Sequence, residues 1–148
     1  DVELDGLKEV AVTLGISDKV TFTGAIKQKD LPDYYSAADI FVLPSHSESF
    51  GLAALEAMAC GTPVVVSRVS GFKAFIDSGK TGYMVPWRCP EPFAQRVEML
   101  FANPGLLQTM GNAARAKSLQ FGWGHTADAI LEIYSDLLGN AIENVIGD

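Results

Sequence analysis

Two acids eight positions apart, Glu48 and Glu56, bracket the run Ser49-Phe50-Gly51-Leu52-Ala53-Ala54-Leu55. Upstream, Ile40-Phe41-Val42-Leu43 is a continuous apolar strand pattern stopped by Pro44, and Ser45 to Ser49 is a polar loop. Downstream, Phe50 to Ala59 reads as a helix rich in Ala, Leu and Met and closed by Gly61. The first N–H groups of such a helix, around Phe50, Gly51 and Leu52, lack intrahelical acceptors and carry the positive end of the helix dipole. They can hold a phosphate, and glycine at 51 leaves room for its approach. The carboxylates repel phosphate but accept hydrogen bonds from hydroxyl groups. The pattern therefore suits a diphosphate lying between two polyols, one beside each acid.

Taken singly, each acid has a plain reading: Glu48 as a partner of the helix dipole, Glu56 as a solvated helix residue. The pair reads differently. Glu56 stands among Leu55, Ala57, Met58 and Ala59, and a carboxylate among small apolar residues is costly to bury without a partner. His46 in the loop and Arg68, just past the Val64-Val65-Val66 run, are further candidates for ligand contact; a loop histidine and a surface ion pair are their ordinary alternatives. Cys60, between Ala59 and Gly61, reads as a small packing residue, and Cys89 shows no partner for nucleophilic work. Tyr34 and Tyr35 are expected to pack their helix on the sheet. Phe121, Trp123 and His125 precede the last helix, where aromatic anchoring is expected. His46, His125, Cys60 and Cys89 show no metal-site spacing, so no metal or cofactor is expected.

Four strands are predicted: Val20–Thr23, Ile40–Leu43, Pro63–Val66 and Gly82–Val85. Helices are predicted over 4–14, from an Asp30 N-cap through Ala38, and over 50–59, 71–76, 91–101, 104–119 and 126–138, with a weakly patterned tail from Gly139 to Asp148. Strands alternating with helices specify an α/β domain with a Rossmann-like parallel sheet, and the continuously apolar strands call for helices on both faces. Four strands fall short of the usual five or six, so the sheet is expected to lack its first strands. The composition agrees with a packed domain: 148 residues, 48% hydrophobic and 20% charged. Eleven Lys+Arg against 18 Asp+Glu give a net charge of −7, which argues against a nucleic-acid partner. No apolar run is long enough to span a membrane and no secretory leader pattern opens the chain. A cytoplasmic location is expected.

Residues 48–56, ESFGLAALE, form a Glu-x7-Glu motif followed by AMACGTPVVVS, and the stretch resembles the carboxyl-terminal domain of retaining glycosyltransferases of family 4, which have two Rossmann-like domains (the GT-B fold). VTFTGAI and DLPDYYSAADIFVLPS upstream and SGFKAFIDSGKTGYMVP downstream keep the family's order, and the resemblance covers roughly residues 4 to 138. It implies a donor-binding domain over 1–138, lacking the first strands and the acceptor-binding amino-terminal domain. Glu48 would contact the donor sugar as the catalytic-site acid, and Glu56 the ribose. The backbone at Phe50, Gly51 and Leu52, with Ser49 beside it, would hold the diphosphate. Gly24, Ala25 and Ile26 would lie near the nucleobase. The implied chemistry is transfer of a hexose from a nucleoside-diphosphate sugar to an acceptor hydroxyl of a sugar, lipid or protein, with retention, in glycan biosynthesis. Peripheral membrane association would come through the amino-terminal domain. Ala74 stands where the family's Gly-Gly-x-Pro-Glu stretch has an acid, and Lys73 precedes it. The chain alone is expected to be inactive and to self-associate. The alternative is a non-catalytic α/β fragment that binds nucleotide-sugar weakly or acts only in association.

Overall fold

The computed structural model describes residues 2–86 and 89–146. The chain divides into two units, Asp1–Leu31 and Pro32–Asp148. In the first, helix α1 (Val2–Thr13) is ended by Gly15 at φ 66°. The Gly15 N–H donates to Val12 O and the Ile16 N–H to Ala11 O, each at 3.0 Å, the paired bonds of a Schellman cap. The run Val20–Thr23, expected as a strand, pairs with nothing among the described residues and is exposed. Its β-branched residues fit a pleated surface, but a strand also needs a neighbouring backbone, which local composition does not encode. A 3-10 turn at Gln28–Asp30 follows. Asp30, expected as an N-cap, belongs to that turn because its N–H donates to Lys27 O at 2.9 Å.

Helix α2 (Leu31–Ala37), all but its first residue in the second unit, leads into β1 (Phe41–Leu43), α3 (Leu52–Ala59) and β2 (Val64–Ser67). A 3-10 turn at Ser70–Ala74 precedes β3 (Gly82–Val85); α4 (Pro90–Phe101), α5 (Pro104–Ser118) and α6 (Trp123–Ile146) complete the chain. The three strands form one parallel sheet in the order β1-β2-β3, with Val65 opposite Val42 and Tyr83. The fold is thus α/β with a parallel sheet flanked by helices, and three strands form among the described residues where four were expected.

The central strand explains its own sequence. Val64, Val65, Val66 and Ser67 are all 0% exposed, and successive residues face opposite sides, so both faces of β2 are covered. Val65 and Val85 pack with Phe93, Leu100 and Met110 of α4 and α5. Helix α3 packs on β1 and β2 through Ala54, Ala57 and Met58, all fully buried. Parallel strands run the same way, so the loops after β1 and β2 emerge at one carboxyl edge. Helix α6 starts three residues before the predicted 126 and runs on through a stretch that contains no proline to stop it.

Candidate functional site

The loop from Pro44 to Gly51 joins the carboxyl end of β1 to α3. Helix α3 begins at Leu52, not at Phe50 as its composition suggests, because Gly51 sits at φ 90° and ψ 50°. That left-handed conformation cannot continue a helix and favours glycine. Gly51 then turns its carbonyl along the axis, accepting from Ala54 N–H at 3.1 Å and Leu55 N–H at 3.2 Å. The N–H groups of Gly51, Leu52 and Ala53 precede this ladder at the positive end of the helix. The leading N–H groups of the helix are therefore those of Gly51, Leu52 and Ala53, one residue on from the expected Phe50-Gly51-Leu52.

Glycine at 51 also has a reason other than ligand access. A Cβ there would collide with the Phe72 ring. The other side of the loop is equally tight: a Cβ on Gly71 would stand 2.5 Å from Glu48 O and 3.0 Å from Phe50 N. The turn after β2 thus presses against the loop after β1. Below them the Phe50, Phe75 and Phe121 rings meet at centroid distances of 5.3, 5.9 and 6.1 Å, and Phe72 meets Phe75 edge-on at 6.2 Å. Glu48 is held between these contacts as a half-buried residue, and the Ser45 hydroxyl donates to its Oε1 at 3.1 Å.

Glu56 lies one turn beyond Leu52 on the same face of α3. The Tyr35 hydroxyl donates to Glu56 Oε2 at 3.3 Å. Burial, and secondarily the Glu56 charge, push the Tyr35 phenol above its usual range. Leu52 and Glu56 line a groove of about 660 Å³ with Phe50, Leu55, Ile130 and Ile133.

The structure thus brings Glu48, Ser49, Phe50, Gly51, Leu52 and Glu56 to one loop and the helix that it opens. His46 is exposed in the same loop. Arg68 follows β2 and is exposed; its guanidinium donates to Met84 O at 3.4 Å, at the end of β3. Gly24, Ala25 and Ile26 belong to the first unit. Lys73 and Ala74 are exposed on the 3-10 turn. Tyr35 packs as expected, edge-on to Phe41 at 5.5 Å, whereas Tyr34 is 50% exposed. Phe121 anchors as expected, but Trp123 is 89% exposed because it opens α6 with its side chain outside the aromatic cluster. Sequence reasoning missed Ser45 and the link from Tyr35 to Glu56. A serine three residues before a loop acid is a weak local signal; Tyr35 and Glu56 are separated by 21 residues and give none.

Comparison with known proteins extends this geometry. A family described as glycosyl transferases group 1 matches residues 2–117. A D-inositol 3-phosphate glycosyltransferase of Streptomyces bingchenggensis is 39% identical over 132 residues, 89% of this chain and 29% of that protein. One from Catenulispora acidiphila is 44% identical over 129 residues, covering 87% of this chain and 30% of that protein. Among solved structures, a sucrose-phosphate synthase from Thermosynechococcus elongatus superposes with a TM-score of 0.84 at 34% identity, over 94% of this chain and 35% of that one. Anabaena HepE in complex with UDP gives 0.84 at 25% identity, over 90% of this chain and 36% of that one. The chain therefore spans less than a third of the length of the curated relatives that it matches.

Proposed function

Since this chain belongs to the group 1 glycosyl transferases, we propose that it is the donor-binding part of a retaining hexosyltransferase that uses a nucleoside-diphosphate sugar. The leading N–H groups of α3 hold the diphosphate. Glu48 accepts hydrogen bonds from donor-sugar hydroxyls, and Glu56 from the ribose. Arg68 and His46 are secondary contacts to the donor. The reaction places the sugar on an acceptor hydroxyl with retention at the anomeric carbon, by front-face substitution in which the departing diphosphate takes the acceptor's proton. No metal enters this scheme. The acceptor site lies on another part of the protein, so this chain alone binds donor without turnover.

The observation that carries the reading is the pair of half-buried acids flanking the start of α3, each held by a hydroxyl donor, Ser45 and Tyr35. UDP bound by a relative of the same fold supports a uridine nucleotide as the first ligand to test. In calorimetry, Glu56→Ala should weaken UDP binding by about 10- to 100-fold, the loss of a charge-assisted hydrogen bond. In the whole enzyme, Glu48→Ala should lower kcat as well as kcat/KM, because its sugar contacts strengthen as charge develops at the anomeric carbon. Wild-type behaviour of both variants would remove these roles.

A further inference from the structure

Tyr35 is held at three points. Its main-chain carbonyl accepts from the buried Thr62 hydroxyl at 2.6 Å. Its ring stands edge-on to Phe41 at 82° and 5.5 Å, a favoured aromatic geometry. Its hydroxyl donates to Glu56 Oε2. Thr62 follows the cap of α3, where Gly61 N–H donates to Met58 O and Thr62 N–H to Ala57 O. The capped end of α3, the sheet and α2 therefore all fix Tyr35, and Tyr35 reaches back to a carboxylate on α3 itself.

Packing alone would not require that hydroxyl. Phenylalanine would fill the same space against Phe41. At a residue 9% exposed the hydroxyl needs a polar partner, and Glu56 supplies it at 3.3 Å. The bond removes rotamer freedom from a side chain that would otherwise be free to swing into water, at a cost in binding entropy. It occupies one lone pair of Oε2 and leaves the other sites of the carboxylate to accept from a ligand.

We propose that Tyr35 is a positioning residue: it pre-orients the Glu56 carboxylate to receive the vicinal hydroxyls of a nucleotide ribose. This inference rests on the ribose role given to Glu56 above. It adds to that role a second residue, on a different helix, that acts only through Glu56.

The test compares UDP with 2′,3′-dideoxy-UDP in calorimetry on wild type, Tyr35→Phe, Glu56→Gln and the double variant, with melting temperatures measured in parallel. Tyr35→Phe should weaken UDP by about 3- to 10-fold, the loss of one hydrogen bond, and leave dideoxy-UDP within about 2-fold of wild type. In the Glu56→Gln background the same change should add less than it does in wild type. Equal weakening of both nucleotides by Tyr35→Phe, or no weakening of UDP, overturns the positioning role and leaves the role of Glu56 standing. If Glu56→Gln itself fails to distinguish the two nucleotides from wild type, the ribose reading falls and the inference falls with it.

Discussion

At the residue scale, Gly51 does two things that no other residue type can combine. It takes a left-handed backbone, which starts α3 at Leu52, and it leaves space for the Phe72 ring. Substitution at this position is therefore a structural change before it is a change in ligand access. Gly51→Ala should cost about 2–4 kcal/mol, the sum of the left-handed penalty and overpacking. Urea unfolding reads this directly as a lower midpoint at unchanged slope. A variant as stable as wild type would mean that Phe72 does not lie against Gly51. The sequence reading placed a glycine at the helix entrance for phosphate access; the ring that demands it comes from the turn after β2, and nothing near position 51 announces that contact. The acids themselves were legible. Glu48 and Glu56 stood out by their spacing across a strand-loop-helix junction, while Tyr35, on another helix, did not.

Elements decide how firmly the acids are presented. The loop after β1 rests on an aromatic cluster drawn from three separate segments, in which Phe75 is fully buried and touches Phe50, Phe72 and Phe121. Phe75→Leu should cost about 1–3 kcal/mol through lost ring contacts and should raise amide exchange at Leu52 and Ala53, because the helix start loses its floor. Thermal melting with hydrogen exchange checks both; destabilisation with unchanged exchange at these amides would separate the cluster from the site. The three strands that formed were readable because each is an apolar run bounded by proline or glycine, and α4 and α5 because Pro90 and Pro104 open them. Val20–Thr23 has equal strand character and yet pairs with nothing among the described residues. Propensity records fitness for a sheet, whereas pairing depends on a neighbour supplied from elsewhere in the chain.

Over the whole molecule, helices α1 and α6 each leave several apolar side chains in water. Leu7, Val10 and Val12 of α1 are 53–68% exposed, and Leu131, Tyr134, Leu137 and Leu138 of α6 are 59–64% exposed. On α6 they recur at helical spacing and form a stripe. Such a stripe favours association, so light scattering at micromolar concentration should give a mass above that of one chain, and Leu131→Lys with Leu138→Lys should reduce it. A monodisperse single chain would show that these faces tolerate exposure. Association of this kind is independent of the proposed diphosphate site at the leading N–H groups of α3. The most direct measurement is an amide chemical-shift titration with UDP on isotopically labelled protein. The Gly51, Leu52 and Ala53 amides should move most, move downfield as expected for N–H groups donating to phosphate, and saturate together with Glu56. Saturable UDP binding that leaves these three amides in place would contradict a diphosphate site at the start of α3.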